Sequence, residues 1–413
     1  MNYWNKCQDR TVRDILGFYA AGKRRVLTVG PTGSGKTRVA TMVSGGFRGR
    51  MLWCVHRQEL VSQSVQELRR TVNPGTVGFR YGGRTQNPTA RIQVATAQTL
   101  IRRELPPADL IVLDEAHHYE ADEWRKIHEA YPQAMVLGLT ATPERADGSR
   151  LGDIFDELVV VAHYSELISH GVLVPYTVLQ PPEFLGRDLA EDPLSAWMTW
   201  AGGNKTFAFY HQVTEALTQA SRFRRRGIKS DTIYADTSKP VRRGRIDAFR
   251  GAHLTVIHNV DVLTEGVNIP DAQVILLARQ YRNRANYVQS CGRAARCADG
   301  KKRALLIDLC GSSHLHGSPV DDWDYKLEGR GKKEAGEPRE CAERSAPEAG
   351  QVVGSGLKVA DFCADKGVTP DTLWRLSEQE VGSEESDIAI AELAKRKGVT
   401  TAERARHLFQ SLE

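Results

Sequence analysis

The residues Gly30-Pro31-Thr32-Gly33-Ser34-Gly35-Lys36-Thr37 have the types and spacing of a phosphate cradle. Glycines let successive backbone N–H groups turn inward around phosphate oxygens with no Cβ in the way. A helix starting near Thr37 would aim its positive end at the same anion. Lys36 is then placed to bridge the β- and γ-phosphates of ATP, and the Thr37 hydroxyl to bind Mg2+. A second constellation is the acidic pair Asp114-Glu115 at the end of an apolar run. Asp114 suits the metal, through water, and Glu115 suits the water that attacks the γ-phosphate. A third is Gln289, Arg293 and Arg296. On a helix the two guanidinium groups share a face with Gln289. Charge of this kind stabilises a phosphoryl transition state. Each group has a plainer explanation: a Gly-rich turn, a solvated strand end, a surface arginine helix. Those explanations lose force because the three occur together.

The elements needed to position these residues are legible. Val26–Val29, Met51–Val55, Ile92–Ala95, Leu110–Leu113 and Val136–Leu139 are apolar runs with little period-two alternation, as in parallel strands buried on both faces. Helical stretches such as Arg57 to Arg70 separate them, giving a βαβ rhythm. The phosphate cradle and the acidic pair both follow a strand directly, which puts them at the carboxyl edge of the sheet, where ligands bind. A breaker-rich join with Pro175, Pro181, Pro182, Pro193, Gly202 and Gly203 runs from about Tyr176 to Asn204. A second set of strands follows at Thr206–Phe209, Thr232–Tyr234, Leu254–Ile257, Val274–Leu277 and Ala304–Ile307.

The 413 residues exceed what one core usually holds, and two or three domains are expected. A net charge of +5 is too small to decide for a polyanionic partner. No apolar run of about 18 residues marks a membrane span, so no membrane partner is expected. The amino-terminal residues lack the pattern of a secretion signal. Seven scattered cysteines fit free thiols in a reducing compartment, and a cytoplasmic location is expected.

With Leu139-Thr140-Ala141-Thr142-Pro143, the phosphate loop and the Asp114-Glu115-Ala116-His117 box resemble superfamily 2 helicases in order and spacing. Val55-His56-Arg57-Gln58-Glu59-Leu60 resembles the family's motif Ia, and Thr96-Ala97-Gln98-Thr99-Leu100 resembles motif Ib. Thr206 to Tyr210 resembles motif IV, Leu263 to Pro270 motif V, and Gln289 to Arg296 motif VI. The resemblance spans about residues 1–312 and is nearest the RadD-like helicases, the RecQ, UvrB and XPB branch and restriction-subunit motors. Two departures stand out. Gln8 occupies the place of an adenine-reading glutamine without the usual Arg-Pro-Tyr lead-in, and Asn268 stands where the family has Asp.

The resemblance implies an α/β fold of two tandem RecA-like lobes, each a parallel sheet flanked by helices, over 1–165 and 166–312. A linker over 313–356 and a small helical region over 357–413 would follow. It implies ATP as substrate and Mg2+ as cofactor, with hydrolysis between the lobes. Gln8, Gly30 to Thr37 and Gly266 would bind the nucleotide, and Thr37 and Asp114 the metal. Lys36, Glu115, Gln289, Arg293 and Arg296 would act in catalysis. His117, Thr140 and Thr142 would couple the ATP site to a nucleic-acid face contacted by His56, Arg57, Thr96, Gln98, Phe209 and Thr264. The expected activity is movement along, or unwinding of, nucleic acid with 3′→5′ polarity, DNA being favoured over RNA. The alternatives are a duplex translocase that does not part strands and an ATP-gated clamp.

Three features stand outside this scheme. The basic runs Arg222 to Arg226 and Lys239 to Arg245 are either phosphate contacts or solvated helix faces. Cys341 and Cys363 lack paired metal spacing, so no zinc site is expected. Val359 to Thr369 and Ile390 to Thr400 form a weak repeat, either helix-turn-helix-like modules or a docking pair for a protein partner.

Overall fold

A computed structural model of the chain describes residues 3–102, 105–118, 126–127, 129–143, 151–262, 272–322 and 325–327. The motif V segment, Cys341, Cys363 and the C-terminal repeat lie outside the described residues, as does most of the expected linker. The chain divides into two compact units. One runs to Leu173 and takes in the segment from Asp321; the other is built on Val174–Val320.

The first unit holds β1 (Arg25–Val29), β2 (Met51–Val55), β3 (Val77–Tyr81), β4 (Arg84–Gln86), β5 (Ile92–Thr96), β6 (Leu110–Asp114), β7 (Met135–Thr140) and β8 (Glu157–Val160). They form one sheet in the order β4-β3-β5-β2-β6-β7-β1-β8, parallel throughout except for the β3–β4 hairpin. Its helices are α1 (Tyr3–Ala20), α2 (Lys36–Gly46), α3 (Gln58–Thr71), α4 (Ala97–Arg102) and α5 (Tyr164–Ser169). The apolar runs follow from burial on both sides. Val26, Met51, Trp53, Leu110, Val112 and Leu137 pack into one cluster. The alternate residues Leu27, Leu52, Cys54, Ile111, Leu113 and Val136 pack into another. Each such aliphatic side chain contributes about 1.5–3 kcal/mol on burial.

The second unit repeats the plan with a parallel sheet in the order β11-β12-β10-β13-β14-β9. Its strands are β9 (Tyr176–Leu179), β10 (Thr206–Tyr210), β11 (Ser230–Ile233), β12 (Val256–Asn259), β13 (Val274–Ala278) and β14 (Ala304–Asp308). Its helices are α6 (Pro193–Trp200), α7 (Val213–Arg225), α8 (Lys239–Arg250), α9 (Arg284–Cys291) and α10 (Ser312–His316). The α/β class with parallel sheets and flanking helices is therefore as expected.

The segment read as a breaker-rich join holds structure. β9 pairs with β14 there, and α6 starts at Pro193 behind an Asp192 cap that accepts from Ser195 N at 3.1 Å. Pro at a helix start suits its fixed φ and missing N–H.

The basic runs are tied to the fold. Arg222 of α7 grips Asp192 through both terminal nitrogens. Arg245 of α8 pairs with Asp231 at 2.7 Å, and Arg242 donates to the Thr237 carbonyl at 3.4 Å. The structural explanation accounts for these three arginines. No described helix is long and apolar enough to cross a membrane.

Candidate active site

Five strand ends of the first sheet stop side by side at its carboxyl edge. Register places Val55 of β2 beside Thr96 of β5, Asp114 of β6 beside Leu139 of β7, and Val29 of β1 beside Thr140 of β7. The expected nucleotide, metal, coupling and motif Ia and Ib residues of this unit all follow these ends or flank them.

The loop after β1 is shaped by two left-handed glycines, Gly33 at φ 97 and Gly35 at φ 88. Gly35 is also the N-cap of α2, so the loop delivers the chain into the helix with its amides facing inward. A Cβ on Gly35 would fall 2.1 Å from Gln8 Nε2. The amide of Gln8 thus lies against the loop backbone, and Trp4 Nε1 donates to Ser34 O at 2.8 Å. Trp4 was not expected to matter. It precedes Gln8 by four residues, so the shared helix face could have revealed it. Lys36 Nζ reaches Gly30 O at 2.8 Å and Pro31 O at 3.0 Å, which keeps its charge over the mouth of the loop.

Asp114 ends β6, and Glu115 turns the chain with φ 53. A left-handed non-glycine residue is strained by about 1–2 kcal/mol. The 3-10 turn Ala116–His118 follows at once. Desolvation, then the neighbouring Glu115 carboxylate, push Asp114 up to about 7, against the pull of the Lys36 ammonium.

His117 is buried and its Nδ1 lies 2.9 Å from Thr140 Oγ1 and 3.6 Å from Glu115 Oε2. The His118 ring lies between those of His117 and His56, with centroids 4.1 and 4.4 Å away. A line of imidazoles therefore runs from the Asp-Glu-Ala-His box to the motif Ia segment.

The fit to a nucleotide and metal can be tested on the polar atoms here. Both amide atoms of Gln8, Ser34 Oγ, Glu115 Oε2 and Thr142 Oγ1 are buried with no hydrogen-bond partner among the described residues. Buried polar groups are nearly always bonded. Five orphaned atoms around one left-handed loop, beside a lysine and two carboxylates, match the acceptors, donors and charge of Mg2+·ATP. Thr37 and Asp114 would hold the metal.

Other expected contacts differ in standing. His56 and Arg57 are half-buried, Thr96 is buried with its hydroxyl 2.8 Å from that of Thr99, and Gln98 is exposed. Phe209 is a correction. It is fully buried in the central strand β10, so its side chain packs in the core and offers nothing to nucleic acid. The exposed residues at that strand end are His211 and Gln212. Thr264 and Gly266 lie outside the described residues.

The arginine segment also departs from expectation. α9 ends at Cys291 with Gly292 as its cap, so Gln289 is helical whereas Arg293 and Arg296 sit in the turn beyond it. The shared helical face does not exist. Ala294 N bonds Cys291 O at 3.1 Å, closing a turn that redirects the chain. Arg293 is buried, Arg296 half-buried, and desolvation lowers the Arg296 pKa. Ser290 donates to the Tyr281 hydroxyl at 2.9 Å, anchoring α9 to the end of β13. Among the described residues no group of three or more His, Cys, Asp or Glu forms a metal site.

Comparison with known proteins agrees with this layout. Residues 2–145 match the family model described as the res subunit of type III restriction enzymes, and residues 192–298 match the helicase conserved C-terminal domain. The chain is 27% identical over 355 residues to a protein of Schizosaccharomyces pombe provisionally named as the mitochondrial ATP-dependent helicase irc3, covering 76% of this chain and 59% of that one. It is 22% identical over 350 residues to the DNA 3′-5′ translocase XPB2 of Sulfurisphaera tokodaii, covering 70% and 78%. A fragment structure of a provisionally assigned HsdR subunit of a type I restriction enzyme from Vibrio vulnificus superposes with a TM-score of 0.57 at 20% identity, covering 79% of this chain and 66% of that one. With a phosphate loop, an Asp-Glu-Ala-His box and two family models in the right order, the chain belongs to the superfamily 2 ATP-dependent helicases, related to the restriction-subunit motors.

Proposed function

We propose that the chain is a nucleic-acid-stimulated ATPase that moves along DNA with 3′→5′ polarity. The observation that carries the reading is the set of orphaned buried polar atoms around the Gly35 loop, joined through His117 to Thr140 and Thr142. Bound Mg2+ would offset the negative charge of the phosphates and the developing charge of the reaction. Lys36 binds the β- and γ-phosphates. Thr37 and Asp114 hold the metal's place, and Gln8 meets the base. Glu115 orients a water and takes its proton. Gln289, Arg293 and Arg296 of the second unit act in hydrolysis, and motif V, with Thr264 and Gly266, contributes to grip and nucleotide sensing. His56, Arg57, Thr96 and Gln98 hold the strand through its backbone, which carries little sequence information. His117, Thr140 and Thr142 pass the state of the nucleotide to that face. The preference for DNA draws on the similarity to a DNA translocase and to restriction-enzyme subunits.

An ATPase panel with single-stranded DNA, duplex DNA, forked DNA and RNA tests the reading. Stimulation by DNA is expected, and turnover indifferent to every nucleic acid would sink it. Glu115→Gln should bind ATP and lose hydrolysis by about 10²–10⁴. The similarity to a translocase favours one second reading, movement along duplex without strand separation. Triplex displacement without strand displacement is its signature.

A further inference from the structure

We infer that Lys301 is a positioning residue for the arginine segment, a buried ammonium that fixes the turn bearing Arg293 and Arg296. The inference rests on the reading of those arginines given above.

Lys301 is only 9% exposed. Its Nζ donates to Ala272 O and Ala294 O at 2.5 Å each, and to Arg296 O at 3.0 Å. An ammonium has three N–H donors, and three carbonyls from two segments of the chain meet them. Two belong to the arginine turn, one on either side of Ala295. The third lies just before β13. Ala295 O, between the two held carbonyls, accepts from Val174 N at 2.8 Å. Successive carbonyls of the turn are thus pinned from two sides.

The need for a pin follows from the backbone. α9 stops at Cys291, so Arg293 and Arg296 have no helix to orient them. Burying an ammonium against neutral carbonyls is costly, and an apolar side chain of similar length often serves stability as well or better. What the ammonium adds is convergence: one atom that fixes three carbonyls at once. Misplacing reactive groups by about 1 Å can cost on the order of 10²-fold in rate.

The test uses the full chain, with Lys301→Met, Lys301→Arg and Lys301→Ala. ATP hydrolysis is measured at saturating DNA, well below each variant's unfolding midpoint. Lys301→Met should lower kcat about tenfold or more while KM for ATP stays within about twofold, because the phosphate loop belongs to the other unit. Lys301→Arg, which keeps charge and donors, should recover part of kcat. Propylammonium added to Lys301→Ala should restore kcat saturably, which a general loss of stability would not allow. Wild-type kcat in Lys301→Met overturns the inference. So does a loss that tracks the unfolded fraction with no rescue by Arg or by propylammonium. If wild-type protein shows no DNA-stimulated hydrolysis, the motor reading fails first and is recognised by that result alone.

Discussion

His117 donates from Nδ1 to the hydroxyl of Thr140. That hydroxyl gives its single proton to Thr142 O at 2.6 Å and accepts from Thr142 N at 3.1 Å, so only its acceptor side is left for the imidazole. The network thereby assigns the His117 tautomer and ties β7's exit to the Asp-Glu-Ala-His box. Thr140→Val keeps the shape but removes the acceptor. A buried donor without a partner costs about 1–3 kcal/mol. The expected outcome is a lower unfolding midpoint and loss of DNA stimulation, with basal ATPase within about threefold of wild type. Thr140→Ser should behave as wild type. Stimulation that persists undiminished in Thr140→Val would remove the coupling role.

Gly35 is required twice over, by its φ of 88 and by the Gln8 amide against it. Gly35→Ala should reduce ATP affinity at least about tenfold, since a left-handed Cβ costs about 1–2 kcal/mol and the cradle must open to admit it. Adding Gln8→Ala relieves the collision but not the backbone strain. The double variant should therefore be more heat-stable than Gly35→Ala alone and still bind ATP weakly. Equal stability of the two would show that the contact does not matter.

The constellations in the first unit were legible because each hangs on a strand that sequence marks strongly. Val26–Val29 and Leu110–Leu113 are fully buried runs, and the residues after them land where such strands end. The strands β4, β8 and β9 were missed. All three are sheet edges. β4 and β9 hold only exposed or half-buried residues, so burial does not force an apolar run on them, whereas β8 lies in the apolar run Leu158 to Ala162, with Val159 buried in the core. β3 was missed for a related reason, its half-buried Phe79-Arg80-Tyr81 end. Phe209 misled because an aromatic at a strand end can serve a core or a base stack, and only the burial of β10 on both faces decides. The arginine turn misled because spacing of three or four is helical only while the helix lasts. Gly292 ends it, and the brace by Lys301 depends on contacts far apart in sequence that no local pattern announces.

Asp114, raised to about 7, must be ionised to hold a metal. Below pH 7 a proton competes, and metal affinity should fall about tenfold per pH unit. The Glu115 carboxylate is the second cause of the shift, so Glu115→Gln should move this fall to lower pH. Mn2+ binding in the presence of ADP, followed by electron paramagnetic resonance at pH 8, 7 and 6, reads both effects without needing turnover. The same pH dependence in both proteins would exclude the carboxylate as the cause.

His258 carries the clearest link between burial and stability. Desolvation in the second unit's core, and then Arg224, hold its pKa down at about 3, with its ring against Tyr210 and Phe223. The unfolded chain restores a value near 6.5. The sign follows: between those values the unfolded state binds a proton that the folded state refuses. Stability is full above pH 6.5 and is lost as pH falls towards 3, by about 1.4 kcal/mol per pH unit. His316, lowered to about 4 by burial, acts in the same direction. Asp308, raised by burial, acts in the opposite one, because its folded carboxyl keeps a proton that the unfolded one has lost. Those two groups are shared by wild type and variant. His258→Phe removes only the first, so it should flatten the decline in urea unfolding midpoint between pH 7 and pH 5. Parallel declines in the two proteins would mean that His258 is not the residue being titrated.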